Sequence, residues 1–191
     1  MVLSLLDVEH MRTTKAALMM LFLACCTVSA QRLPGSLNSE KEFKVILFVG
    51  LECPISQKYM KKIEELKNKY KYRVDFIAVV PERVSLQQID AYKKEYNSSL
   101  KFVLDNNLKI VELLNAKITP EVFLLDKWDR LKYRGAIDNW FYALGKYRRE
   151  TTAHYLVDAM DAVLQNNEPR TKVTDAVGCF IETKSLHHAH H

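Results

Sequence analysis

Glycine, proline and cysteine are scarce: five, five and four among 191 residues. No glycine-rich phosphate loop is present and no Ser, His and Asp follow one another as a hydrolase triad would, so nucleotide use and hydrolase chemistry are disfavoured. No C-x-x-C pair occurs, no internal repeat is visible, and no apolar run comfortably reaches the roughly 20 residues of a membrane span. A charge excess of one sign is also missing. The formal net charge is +5, but Lys58, Lys61 and Lys62 are interleaved with Glu64 and Glu65. That is a solvated helix face, and no basic run is joined to a nucleic-acid motif. What remains is 48% hydrophobic and 27% charged residues, an ordinary balance for one globular core.

The first thirty residues read as an address. Met11-Arg-Thr-Thr-Lys15 is a short basic start, Ala16 to Cys26 is apolar, and Val28-Ser-Ala30 offers small residues for cleavage. This is the layout of a secretory signal peptide, with Met11 as an alternative start that makes residues 1–10 an over-extension. The expected location is therefore periplasmic or extracellular. A lipid-anchored form through Cys25 or Cys26 is the rival reading. The expected organisation is a leader over 1–30, a linker over 31–41, one domain over 42–182 and a His-rich tail over 183–191. Export leaves Cys53 and Cys179 in an oxidising compartment, as a long-range disulfide or as two reactive thiols.

Periodicity places the elements. Phe43 to Val49 and Val74 to Val80 are continuous apolar runs suited to buried strands. Ile55, Tyr59, Ile63, Leu66 and Tyr70 recur at helical spacing, with Pro54 fitted to the first turn. Ser85 caps a helix carrying Leu86, Ile89, Tyr92 and Tyr96 on one side. Phe102 to Leu104 is a short strand, and Asn107 to Asn115 a helix. Glu121 to Leu125, a turn over Asp126 to Asp129, and Arg130 to Arg134 form a hairpin. Thr151 to Gln165 closes the chain as an amphipathic helix. Strands alternating with helices predict an α/β fold, a central mixed β-sheet flanked by helices.

Cys53 stands between the first strand and the first helix, where ligands bind in open sheets of this kind. The unpaired N–H groups and partial positive charge of a helix start favour a thiolate, and the thiolate is the nucleophile. Lys58, Lys61 and Lys62 add to this field, and Glu52 opposes it. Thr119-Pro120 enters the hairpin strand, where a proline leaves backbone groups free beside the cysteine loop.

Glu52-Cys-Pro54, Thr119-Pro-Glu-Val-Phe-Leu-Leu-Asp126, Tyr133-Arg-Gly-Ala-Ile-Asp138 and Thr174-Asp-Ala-Val-Gly-Cys-Phe-Ile181 together resemble the thioredoxin superfamily, and within it the peroxiredoxin-like redoxin group. The resemblance spans about Glu42 to Glu182 and implies a thioredoxin-like fold. Cys53 matches the attacking cysteine of the C-x-x-C motif, whose second position is Ser56 here. Ser56 also stands where peroxiredoxins place their peroxide-attacking cysteine, so the usual peroxidase residues are not in place.

The resemblance implies thiol–disulfide exchange on a protein or small-molecule disulfide or thiol. Cys53 is the attacking thiol, Cys179 the resolving one, and Pro54, Thr119, Pro120 and Glu121 the substrate side. No cofactor, metal or nucleic acid is implied, and nothing in the pattern sets an oligomeric state. The alternatives are a binding domain stapled by a Cys53–Cys179 disulfide, worth about 4–5 kcal/mol in the chain-entropy picture, or a thiolate metal site. His154 reads as a surface residue, and His187 to His191 as a tail without a role. Asp138 to Tyr142 is a candidate cover for the site. Arg134, Arg148 and Arg149 are candidates for ion pairs or for an anionic substrate.

Overall fold

The computed structural model describes residues 33–182. The expected leader, Cys25 and Cys26, and the His-rich tail lie outside them. Five strands form the central sheet in the order β3-β2-β1-β5-β6. These are β1 (Phe43–Phe48), β2 (Val74–Val80), β3 (Lys101–Leu104), β5 (Glu121–Asp126) and β6 (Leu131–Gly135). β1, β2 and β3 run parallel, while β5 runs antiparallel to β1 with Ile46 opposite Phe123. The sheet is mixed, flanked by helices, and thioredoxin-like.

Successive strand residues point to opposite faces, so a continuous apolar run feeds two cores. Val45, Leu47, Phe76, Ala78, Val122 and Leu124 enter one core. Ile46, Phe48, Ile77, Val79, Phe123 and Leu125 enter the other. Helices α1 (Pro54–Tyr70), α2 (Leu86–Glu95) and α4 (Tyr155–Leu164) cover the first face. Helix α3 (Lys109–Leu114) covers the second with Ile110 and Val111. α1 buries Ile55, Tyr59, Met60, Ile63, Leu66 and Tyr70, the face expected from its spacing. A fully buried side chain of this size contributes about 1.5–3 kcal/mol. Ser85 caps α2 through a reciprocal box with Gln88.

Several expectations need correction. Residues 33–41 are no free linker, because Leu33 and Leu37 are buried in the second core. The buried Lys44 ammonium donates to the Leu37 carbonyl at 3.1 Å and pairs with Asp129 at 2.5 Å. Leu86 is 67% exposed, leaving Ile89 and Tyr92 as the buried positions of α2. α4 starts at Tyr155, not Thr151: the Asn139 side-chain oxygen accepts from the Thr152 and Ala153 N–H groups and holds them out of the helix. Asp138 to Tyr142 lead into a small hairpin, β7 (Phe141–Ala143) and β8 (Lys146–Tyr147). Two further two-residue strands had no periodicity to announce them: β4 (Ile118–Thr119) and β9 (Cys179–Phe180), which pair with each other.

Candidate functional site

The carboxyl ends of β1, β2 and β3 open onto one cleft of about 820 Å³. β1 delivers Glu52 and Cys53, β2 delivers Pro81, Glu82 and Arg83, and β3 delivers Asn106, Asn107 and Leu108. Thr119, Cys179, Phe180, Ile181 and Glu182 complete the wall. This is the position at which open sheets present ligands.

Cys53 is the N-cap of α1, Pro54 is the first helical residue, and the Cys53 carbonyl accepts from Gln57 N–H at 3.0 Å. The side chain is 4% exposed and its thiol donates to the Thr119 carbonyl oxygen at 3.0 Å. The Thr119–Pro120 peptide bond is cis. Close approach is enforced at Gly50, where a Cβ would stand 2.8 Å from Thr119 Oγ1, 2.8 Å from Glu82 Oε1 and 3.0 Å from Cys53 Cβ.

Cys179 arrives from sixty residues away. β9 pairs antiparallel with β4, with Thr119 opposite Cys179 and Ile118 opposite Phe180. Both cysteines are free thiols, one buried and one half-buried. Their environments drive them apart. Burial by itself pushes the Cys53 thiol up. Hydrogen bonds from the Cys179 thiol, the Ser56 N–H and hydroxyl, and the Cys179 N–H outweigh it and hold Cys53 below the ordinary thiol value. Burial pushes Cys179 up to about 11, and the hydrogen bond to Cys53, the Cys53 charge and Glu82 act in the same direction. Hydrogen bonds to the charged form favour that form, and desolvation disfavours it. The arrangement therefore sets a thiol that ionises more readily than usual beside one that resists ionisation.

The supporting groups differ from those expected. Two of the three α1 lysines expected to help are engaged elsewhere: Lys62 pairs with buried Asp138, and Lys58 lies 4.7 Å from the centre of the Tyr147 ring. Ser56, in the second C-x-x-C position, takes part instead. Its hydroxyl is buried without a hydrogen-bond partner, and together with the Ser56 N–H it acts to lower the Cys53 thiol. Glu82 was not singled out in the sequence. Its position directly after β2 was the available signal, since neighbouring parallel strands end at one edge. Its carboxylate accepts from Leu51 N–H at 3.4 Å, and burial, reinforced by the Glu52 charge, raises it above the ordinary carboxylate range.

Of the six site residues expected, Cys53, Thr119 and Cys179 come together, and Pro54, Pro120 and Glu121 do not line the cleft. Pro54 is exposed on α1. Pro120 is buried and borders a small separate cavity with Tyr59 and Val177. The Glu121 carboxylate accepts from Lys117 N–H at 3.0 Å and so braces β4 from behind. The backbone expected to be free at Thr119 is taken by β9. Trp140 and Phe141 do not cover the cleft; they pack on Tyr59. Arg148 donates to the Asn139 carbonyl at 2.6 Å rather than to an acid. His154 is exposed. Among the described residues no three His, Cys, Asp or Glu side chains converge as a metal site. Among them, too, no helix is long and apolar enough to cross a membrane.

The Redoxin family model matches residues 24–139. The chain belongs to the Redoxin family. The matched span carries Cys53, Ser56, Glu82, Thr119, Pro120 and Glu121 and ends forty residues before Cys179. Among solved structures, a hypothetical protein from Sinorhizobium meliloti 1021 superposes with a TM-score of 0.64 at 24% identity, covering 74% of this chain and 79% of that one. An uncharacterized conserved protein from Geobacillus kaustophilus gives 0.64 at 22% identity, covering 75% and 78%. A candidate thioredoxin from Neisseria meningitidis gives 0.53 at 18% identity, covering 82% and 86%. These likenesses carry the fold. No curated protein matches significantly. Redoxin membership supports a thiol redox function for the chain.

Proposed function

We propose that this redoxin is an exported thiol–disulfide exchange protein in which Cys53 attacks and Cys179 resolves. The observation that carries the reading is the unequal pair at Thr119: a lowered thiol at a helix N-cap beside a raised thiol on a paired strand. The Cys53 thiolate attacks one sulfur of a disulfide, the S–S bond breaks, and the leaving thiolate takes the electron pair and then a proton. Cys179 loses its proton, attacks Cys53 Sγ in the mixed disulfide, and releases the second thiol. One disulfide is reduced, and the two protein thiols are oxidised to a Cys53–Cys179 bond. Ser56 holds the thiolate form of Cys53 before attack.

Export rests on the leader-like layout of residues 1–30 and is tested by the N-terminus of the protein recovered from expressing cells, expected at Gln31. The exchange reading is tested by intact mass under alkylation. Cys53 is expected to label below the ordinary thiol range, and an oxidised Cys53–Cys179 pair to open under mild reductant in the folded state. A bond that yields only on unfolding would instead make the pair a structural staple.

A further inference from the structure

Residues 177–181 sit where a second chain would dock. An extended polypeptide binds a free strand edge by adding a strand, and backbone hydrogen bonds supply the affinity. The edge beside Cys53 is β4, whose Thr119 carbonyl touches the Cys53 thiol. That edge is filled from within. Thr119 pairs with Cys179, Ile118 with Phe180, and Ile181 N–H donates to the Lys117 carbonyl at 2.9 Å. Thr119 Oγ1 donates to the Cys179 carbonyl at 3.4 Å. The fit is tight, because a Cβ on Gly178 would stand 2.1 Å from the Thr119 carbonyl oxygen. The segment is anchored at both sides: Val177 packs by Tyr59 and Pro120, and Ile181 is 4% exposed in the second core.

On its other side Cys53 still borders the cleft. Its volume of about 820 Å³ falls in the range that encloses small molecules. The wall is mixed, with Glu52, Glu82, Arg83, Asn106 and Asn107 set among Leu108, Phe180 and Ile181. Resting on the exchange reading above, we propose that residues 177–181 act as a size filter: Cys53 exchanges with small-molecule disulfides that enter the cleft, and extended polypeptide disulfides are excluded until this segment leaves β4. The chemistry is the same for both substrates, two protein thiols oxidised for one disulfide reduced. Only access differs.

The test compares single-turnover reaction of the reduced full chain with hydroxyethyl disulfide and with insulin, followed by mass at Cys53. For the native protein the small disulfide is expected to react at least about tenfold faster than insulin relative to a free thiol peptide. Gly178→Val drives a side chain into the Thr119 carbonyl and is expected to raise the insulin rate by about tenfold or more. The effect is read as the ratio of the insulin rate to the hydroxyethyl disulfide rate, because the segment carries Cys179 and also lines the cleft. Ile181→Asn, which loosens the segment from the second core, should raise that ratio likewise. If neither variant folds, the native protein decides: in sub-denaturing urea the insulin rate should rise in step with hydrogen exchange at the Ile181 amide. An insulin rate that is already high and unmoved by either variant or by tail release overturns the filter alone. Failure of Cys53 to react with both disulfides overturns the exchange reading itself.

Discussion

The two cysteines meet at Thr119 but belong to regions built in opposite ways. Cys53 is set by local structure: it ends the loop after β1, caps α1, and is held between two elements that bury most of the first core. Cys179 is set by long-range contact. Its segment follows α4 as an irregular strap, joined to the body by a bridge between Arg134 and Val173, by β9 and by Ile181. Two glycines make that path possible. Gly135 has φ +129° and a Cβ there would stand 2.1 Å from the Thr174 carbonyl oxygen, while Gly178 clears Thr119. The proposed nucleophile is thus held by regular structure, and its proposed partner by a strap outside the central sheet. The resolving role proposed for Cys179 requires that strap to shift, because a hydrogen-bond donor must become an attacking group.

Removing the sulfur on each side gives the largest contrast. Cys53→Ser should lower the rate of disulfide exchange by more than about a thousandfold, since the nucleophile itself is lost. Cys179→Ser should keep the first attack and stop at the mixed disulfide, visible as one added substrate mass per chain. Mixed disulfide that forms equally well on Cys53→Ser would exchange the two roles.

The same contrast explains what could be read in advance. β1, α1, β2 and the β5–β6 hairpin were legible because each is announced by its own period, and Cys53 was legible because it stands at a change of period. β4 and β9 were not, since two-residue strands have no period and pair only once residues sixty apart are neighbours. Lys58 and Lys62 were misassigned for the same reason: Tyr147 and Asp138, their partners, arrive through tertiary packing. Glu82 required the strand order, because only adjacent parallel strands bring Pro81-Glu82 beside Gly50.

Stability should divide along the same line. Ile63→Ala, in the middle of α1 with no exposure, is expected to cost about 2–5 kcal/mol and to lower the melting temperature of the whole domain. Ile181→Ala removes a similar buried side chain, yet its loss should appear mainly as hydrogen exchange and protease cleavage near residues 173–182. A fall in global melting temperature as large as that of Ile63→Ala would show that the tail folds as one unit with the core.

Titration sharpens the comparison further. Cys53 is lowered and Cys179 raised to about 11, so alkylation followed residue by residue should be stepwise. Cys53 should label first, below the ordinary thiol range, and Cys179 only as pH approaches about 11. Denaturation should merge the two profiles near the ordinary thiol value. Two coincident profiles in the folded protein would remove the asymmetry on which the roles rest.

The smallest effect expected is at Glu82. Its carboxylate raises Cys179 but is not among the groups that set Cys53. Glu82→Gln keeps an oxygen for the Leu51 N–H and removes the charge, so the fold should be unchanged. The midpoint of Cys179 labelling should move down while that of Cys53 stays. Cys179 then ionises more readily, and release of the second thiol should quicken at neutral pH while the first attack keeps its rate. If second-thiol release slows instead, Glu82 is drawing the proton from Cys179 rather than only holding it there, and the carboxylate becomes part of the exchange chemistry.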